Sequence, residues 1–157
     1  MNDDLVAFLR ARLDEDERLA ADAAKHCASL IAAAARTEGI WEPPYDGSAW
    51  GSSADHVYAA DPRGDQPRAD IADFGAGAFM LTPHIQNHSP ARVLVEVDAK
   101  RRMIALHEQA ATDTESSDYL VAGPGRMLLV ALDPVVRLLA LPYRAHPDYR
   151  PEWAPAI

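Results

Sequence analysis

The residues whose types and spacing could do chemistry are His84, His88 and His107, together with Asp16, Lys100 and Arg101. His84 and His88 stand four apart, which puts two imidazoles on one face of a helix. A third ligand from His107 or Asp16 would complete a zinc site or the acid/base centre of a metal-dependent hydrolase. The pattern departs from the zinc-protease motif His-Glu-x-x-His, because Ile85 follows His84. Ser89-Pro90 also breaks the helix just past His88, and the plainer role of these side chains is capping or surface exposure. For Asp16 the alternative to chemistry is structural. A carboxylate on an apolar helix face is costly to bury unless a cation meets it, and Lys100 and Arg101 interrupt the apolar stripe of another helix. The expectation is a structural ion pair joining Asp16 to Lys100 or Arg101, whose one-sided removal would cost about 3–5 kcal/mol.

Other catalytic patterns are missing. Gly75-x-Gly77 lacks a third glycine and a strong preceding strand, and neither a Walker loop nor a Gly-x-Ser-x-Gly elbow occurs. Ser52, Ser53 and His56 are close in sequence with nothing to orient them as nucleophile and base. Asp14 and Glu17 read as a solvated helix face. The single cysteine, Cys27, sits among alanines, which points to a buried, inert thiol and excludes an internal disulfide. No catalytic residue and no cofactor is implied.

The elements that must position these groups are mainly helical. From Asp3 to about Arg36 there is no Gly or Pro, and Leu5, Leu9, Leu13, Ala20, Ala23, Cys27, Leu30 and Ala34 recur at three- and four-residue steps. That is one long amphipathic helix within 1–38, capped by Asp3 or Asp4 and ended by Gly39. Residues 39–78 form an insert in which 50–60 and 68–74 read as two strands of a hairpin around the turn at 61–65. Trp41, Trp50, Val57, Tyr58, Ile71 and Phe74 supply its covered face. Residues 79–112 hold a short helix and then a long one opened by Ser89-Pro90, with Val93, Val97, Ile104 and Ala111 on one face. Lys100 and Arg101 flank the turn that this stripe skips.

In 113–157, Gly123-Pro124-Gly125 reads as a turn. The run 126–132 is apolar without a period, so strand and helix are not separated there. Asp133-Pro134 then opens a helix to about Leu141 that Pro142 stops. Tyr143, Tyr149 and Trp153 would dock the proline-rich tail. The fold class is α+β, mainly α, with two long antiparallel helices on which a β-hairpin and shorter C-terminal helices pack, in a single domain of 157 residues.

Composition narrows the function classes. The chain carries 24 acidic against 15 basic residues, a formal charge of −9, which disfavours nucleic acid and anionic membranes as partners. Its densest basic run, Lys100-Arg101-Arg102, is too short for a phosphate footprint. Met1-Asn2-Asp3-Asp4 has neither the basic region nor the apolar run of a signal peptide. The expectation is a soluble cytoplasmic protein, a small binding or assembly module that meets a protein partner or a second copy of itself. The alternative is a metal-dependent hydrolase built on His84, His88, His107 and Asp16.

Three blocks carry a resemblance. They are Asp4 to Glu17, then His84-Ile85 with His88 to Leu94 and Ala99 to Arg102, and finally Asp133 to Trp153 with its Leu141-Pro142-Tyr143 and His146-Pro147-Asp148-Tyr149-Arg150-Pro151 runs. In that order they resemble an uncharacterised family of small proteins from high-GC Gram-positive bacteria and their phages, a domain of unknown function. In many members a cysteine cluster precedes the final block, with one cysteine directly before the proline matching Pro134. That arrangement implies a structural zinc. This chain has Asp133 there and no cysteine after His107, so the implied metal is in doubt and an aspartate cap takes its place.

Overall fold

The computed structural model describes residues 2–39, 45–53, 56–60, 68–74 and 81–155. Among them are four α-helices and a three-stranded antiparallel sheet, the mainly helical α+β class expected. The chain forms two compact units, one of residues 1–15 with 97–157 and one of residues 16–96.

The first unit contains the start of α1 (Asn2–Glu38), the end of α3 (Pro90–Thr114) and all of α4 (Tyr119–Ala140). The helix starts at Asn2, so Asp3 and Asp4 stand in its first turn, where carboxylates face the positive end of the helix dipole. Leu5, Leu9 and Leu13 of α1, Val97, Ile104 and Ala110 of α3, and Ala122, Val136 and Ala140 of α4 are buried. Arg10 reaches Glu108, and Arg101 reaches Asp14. Rising numbers on α1 thus meet falling numbers on α3, which makes this pair antiparallel.

The C-terminal quarter differs from its sequence reading. Gly123-Pro124-Gly125 is not a turn and Pro134 does not begin a helix, for both lie inside α4. The start signal sits earlier, at Asp118, whose side chain accepts from Leu120 N at 2.9 Å, the geometry of an N-cap. Asp133 is therefore not a cap. Its Oδ2 accepts from Nε of Arg137 at 2.9 Å, one turn onward. An interior proline frees the carbonyl four residues back. For Pro124 and Pro134 those carbonyls belong to Leu120 and Val130, both strongly exposed, so water can satisfy them. Gly125 serves close packing, since a Cβ there would stand 2.7 Å from Asp113 Cβ at the end of α3.

After α4 the tail makes two 3₁₀ turns, Leu141–Tyr143 and Pro151–Trp153. It docks on α1 as its rings predict. Phe8 lies 4.9 Å from the Trp153 ring and edge-on to Tyr143 and Tyr149, Arg12 meets His146, and Arg150 pairs with Asp4 at 2.8 Å.

In the second unit α1 continues to Gly39, whose φ of +74° ends the helix in the left-handed conformation that glycine adopts without strain. The buried row here is Ala20, Cys27, Ile31 and Ala35, one position later than the Leu30 and Ala34 of the sequence reading. Four-residue steps over-run a 3.6-residue turn by a little each time, and the sheet beside α1 selects which row is covered. Cys27 and Ile31 share a core with Ala59 and Ala69, with Leu30, Tyr45, Trp50 and Ile71 packed on it. Burial pushes the Cys27 thiol up, with the Trp50 indole working the other way.

The expected hairpin has one strand more, because the first strand divides in two. The sheet is β1 (Ala49–Ser52), β2 (His56–Ala60) and β3 (Arg68–Asp73) in that order, both pairs antiparallel. Between β1 and β2, Ser53 N donates to His56 O at 3.0 Å. Trp41, the turn at 61–65 and the glycines at 75 and 77 lie outside the described residues. The short helix α2 (Thr82–Gln86) is tied to this sheet by Thr82 Oγ1, which donates to Ser53 O at 3.0 Å, and by Ser52 Oγ, which donates to Gln86 Oε1 at 2.6 Å.

Candidate functional site

His84 and His88 come together at the end of α2. Their ring centroids are 4.6 Å apart, and His88 Nδ1 lies 2.8 Å from the His84 carbonyl oxygen. A carbonyl accepts only, so Nδ1 carries the proton and caps the short helix. Both residues are exposed. They belong to the unit of residues 16–96 and His107 to the other. Among the described residues no group of three or more His, Cys, Asp or Glu side chains is placed to hold a metal ion.

Of the charges expected to pair across the long helices, Arg101 has one partner on α1 in Asp14. Arg101 Nη2 donates to Asp14 Oδ1 at 2.6 Å, so Arg101 grips a carboxylate that the helical wheel puts at the margin of the seam. A long guanidinium stem covers apolar surface while its head reaches the rim. There Asp14 keeps most of its water, with its side chain 69% exposed, and the desolvation penalty of a buried pair is avoided. Asp16 and Lys100 are half-buried.

His107 is the exception among these polar groups. It follows Val97 and Ile104 on the buried row of α3, and its Nε2 lies 3.9 Å from Asp133 Oδ1. Neither ring nitrogen has a hydrogen-bond partner.

The largest departure from a self-contained fold is the outer side of α4, which sequence reasoning missed. Leu120 is 80% exposed and Met127 78%. At about 100° per residue these two and the exposed Leu138 fall within about 20° of one another, opposite the buried Ala122, Val136 and Ala140. Pro124, Ala131 and Pro134 are exposed on the same side, and Tyr119, Leu128 and Val130 flank it. The charged residues of α4 are Arg126, Asp133 and Arg137, all off this face. The signal was present as two rows spaced by seven, 120-127-134 and 124-131-138. It emerges only when the run is read as one unbroken helix.

The model of a family of unknown function matches residues 2–155. The chain belongs to DUF6221. Its sequence is matched by no curated protein and no solved structure. In this DUF6221 member the first and last of the resembling blocks meet in one unit, through the Phe8 ring cluster and the Arg150–Asp4 pair. These contacts build architecture, and they leave the outer face of α4 uncovered.

Proposed function

We propose that this protein is a small cytoplasmic assembly module that works by self-association, with α4 of one copy laid antiparallel on α4 of a second. The observation that carries the reading is the uncharged outer face of α4. Its exposed side chains from Tyr119 to Leu138 form a contiguous apolar surface of the kind that marks a protein contact. The occupant follows from the pattern. Turned end over end about Leu129, the face maps onto itself, with Leu120 opposite Leu138, Pro124 opposite Pro134, and Met127 opposite the small Ala131. A two-fold interface needs a surface complementary to itself, and large-against-small pairs supply it.

Charge favours the same partner surface. Two chains of −9 each repel, and Tyr119 to Leu132 contains no acidic residue, so contact through α4 keeps the carboxylates apart. The same negative charge argues against nucleic acid and anionic membranes as partners. Among the described residues no helix is long and apolar enough to cross a membrane. The lone buried Cys27 suits a reducing compartment.

The test is molar mass by light scattering over a hundredfold concentration range, with Cys27→Ala chains carrying Leu120→Cys or Leu138→Cys for crosslinking. The expected mass is twice 17.1 kDa, reduced to one chain by Met127→Glu with helical circular dichroism unchanged. Mixed 120–138 disulfides should exceed 120–120 ones. A monomer at every concentration, or a dimer indifferent to Met127→Glu, refutes the proposal.

A further inference from the structure

The short helix α2 is an anchored platform for His84 and His88. Thr82, 1% exposed, donates to Ser53 O near its start, and Gln86 accepts from Ser52 Oγ at its end, so the backbone beneath both rings is fixed to the sheet of its own unit. Both imidazoles are exposed, and an ion in solution can reach them. The capping bond to the His84 carbonyl takes the Nδ1 proton of His88, which leaves Nε2 with a free lone pair. Metal-binding histidines are oriented in this way, one nitrogen donating to a carbonyl and the other turned to the ion. The His84 ring makes no hydrogen bond among the described residues, so it also keeps a lone pair. Capping accounts for one nitrogen of one ring and leaves the second imidazole unexplained.

The spacing of the rings specifies what they could hold. With metal–nitrogen bonds of about 2.0–2.1 Å, the centroid of a bound imidazole stands about 3.2 Å from the ion, and two rings at bond angles of about 90–110° are about 4.5–5.2 Å apart. The observed 4.6 Å falls inside that interval. Neutral imidazole suits copper, nickel and zinc, whereas magnesium and calcium take oxygen ligands. The cation tied to this end of α2 is Arg92, which donates to Asn87 O at 3.0 Å and is neutralised by Glu96 at 2.8 Å. We propose that His84 and His88 form a two-imidazole chelate for a divalent transition-metal ion of the copper, nickel or zinc class. Water fills the remaining positions, so the ion is exchangeable. The pair uses no residue of α4 and stands apart from the self-association proposed above.

Titration with zinc at neutral pH, followed by long-range ¹H–¹⁵N spectra of the histidine rings, tests it. His84 and His88 should shift together and saturate at one ion per chain, with magnesium inert. His84→Ala keeps the backbone carbonyl that His88 caps and removes only the ring. It should weaken zinc about tenfold or more, the loss expected when a second ligand is no longer held beside the first. His26→Ala, which removes another exposed imidazole of the same unit, should leave the titration as it is. No saturable shift in a millimolar excess of zinc, a shift of one ring alone, an equal response to magnesium, or zinc binding untouched by His84→Ala overturns the assignment.

Discussion

Alanine at position 123 and alanine at position 125, two residues apart in one helix, should have opposite effects on stability. Neither glycine adopts a positive φ, the only one among the described residues being Gly39, so neither needs glycine's backbone freedom. In a helix interior, Gly→Ala recovers about 0.8–1 kcal/mol of propensity. At Gly123 a Cβ would meet nothing within 4 Å outside its chain neighbours, but the ring of Pro124 crowds a Cβ held in the helical conformation and takes back part of the gain, so a net stabilisation below about 1 kcal/mol and a rise in Tm below about 4 °C are expected there. At Gly125 the same Cβ would stand 2.7 Å from Asp113 Cβ, 3.1 Å from Asp113 C and 3.2 Å from Thr114 N. Two of those atoms are backbone and cannot rotate away. Overpacking of that kind costs about 1–3 kcal/mol, which outweighs the propensity gain and leaves a net loss of about 1 kcal/mol. Urea unfolding followed by circular dichroism at 222 nm measures both signs. If Gly123→Ala destabilises as a turn glycine would, or if Gly125→Ala stabilises as much as Gly123→Ala, the continuous α4 and its close approach to α3 are wrong.

Removal of the tail's anchor should be more damaging. Trp153 is 3% exposed and packs on Phe8, so Trp153→Ala should cost about 3–5 kcal/mol and open residues 141–155 to limited proteolysis. The Arg101–Asp14 pair should matter little despite its 2.6 Å length, because Asp14 is mostly solvated. A double-mutant cycle with Arg101→Leu and Asp14→Asn should give a coupling below about 1 kcal/mol that shrinks in 1 M salt. A coupling of several kcal/mol, insensitive to salt, would place the pair in the interior.

The uncovered face of α4 and the docked tail are two consequences of one arrangement. The inner side of α4 is occupied by α3 at Gly125, and the tail returns past Arg137, whose Nη1 donates to Glu152 O at 3.0 Å, to α1. Phe8, Trp153, Asp4 and Arg150 hold the tail to α1. The apolar residues pointing the other way, Leu120, Met127 and Leu138, add nothing to that packing and expose a surface that water disfavours.

What the sequence alone determined is what local physics decides. The apolar period of α1, the end of α1 at Gly39, the start of α3 at Pro90 and the strand character of 68–73 depend on residues a few positions apart, and all of them were legible. The long tail's aromatic anchors were legible for a related reason, since three large rings in a proline-rich stretch have few ways to leave water. Tertiary structure decided the rest. Gly123-Pro124-Gly125 and Asp133-Pro134 carry strong local signals for a turn and a helix start. The packing of α4 overrides both, because a glycine against Asp113 admits close approach and exposed prolines lose only bonds that water replaces. The carboxylate chosen by Arg101, the row of α1 that faces the sheet, and the burial of His107 beside Asp133 depend likewise on which surfaces meet. Those surfaces are contributed by residues well separated in the chain, 87 positions in the case of Asp14 and Arg101, a separation at which no periodicity in the chain carries information.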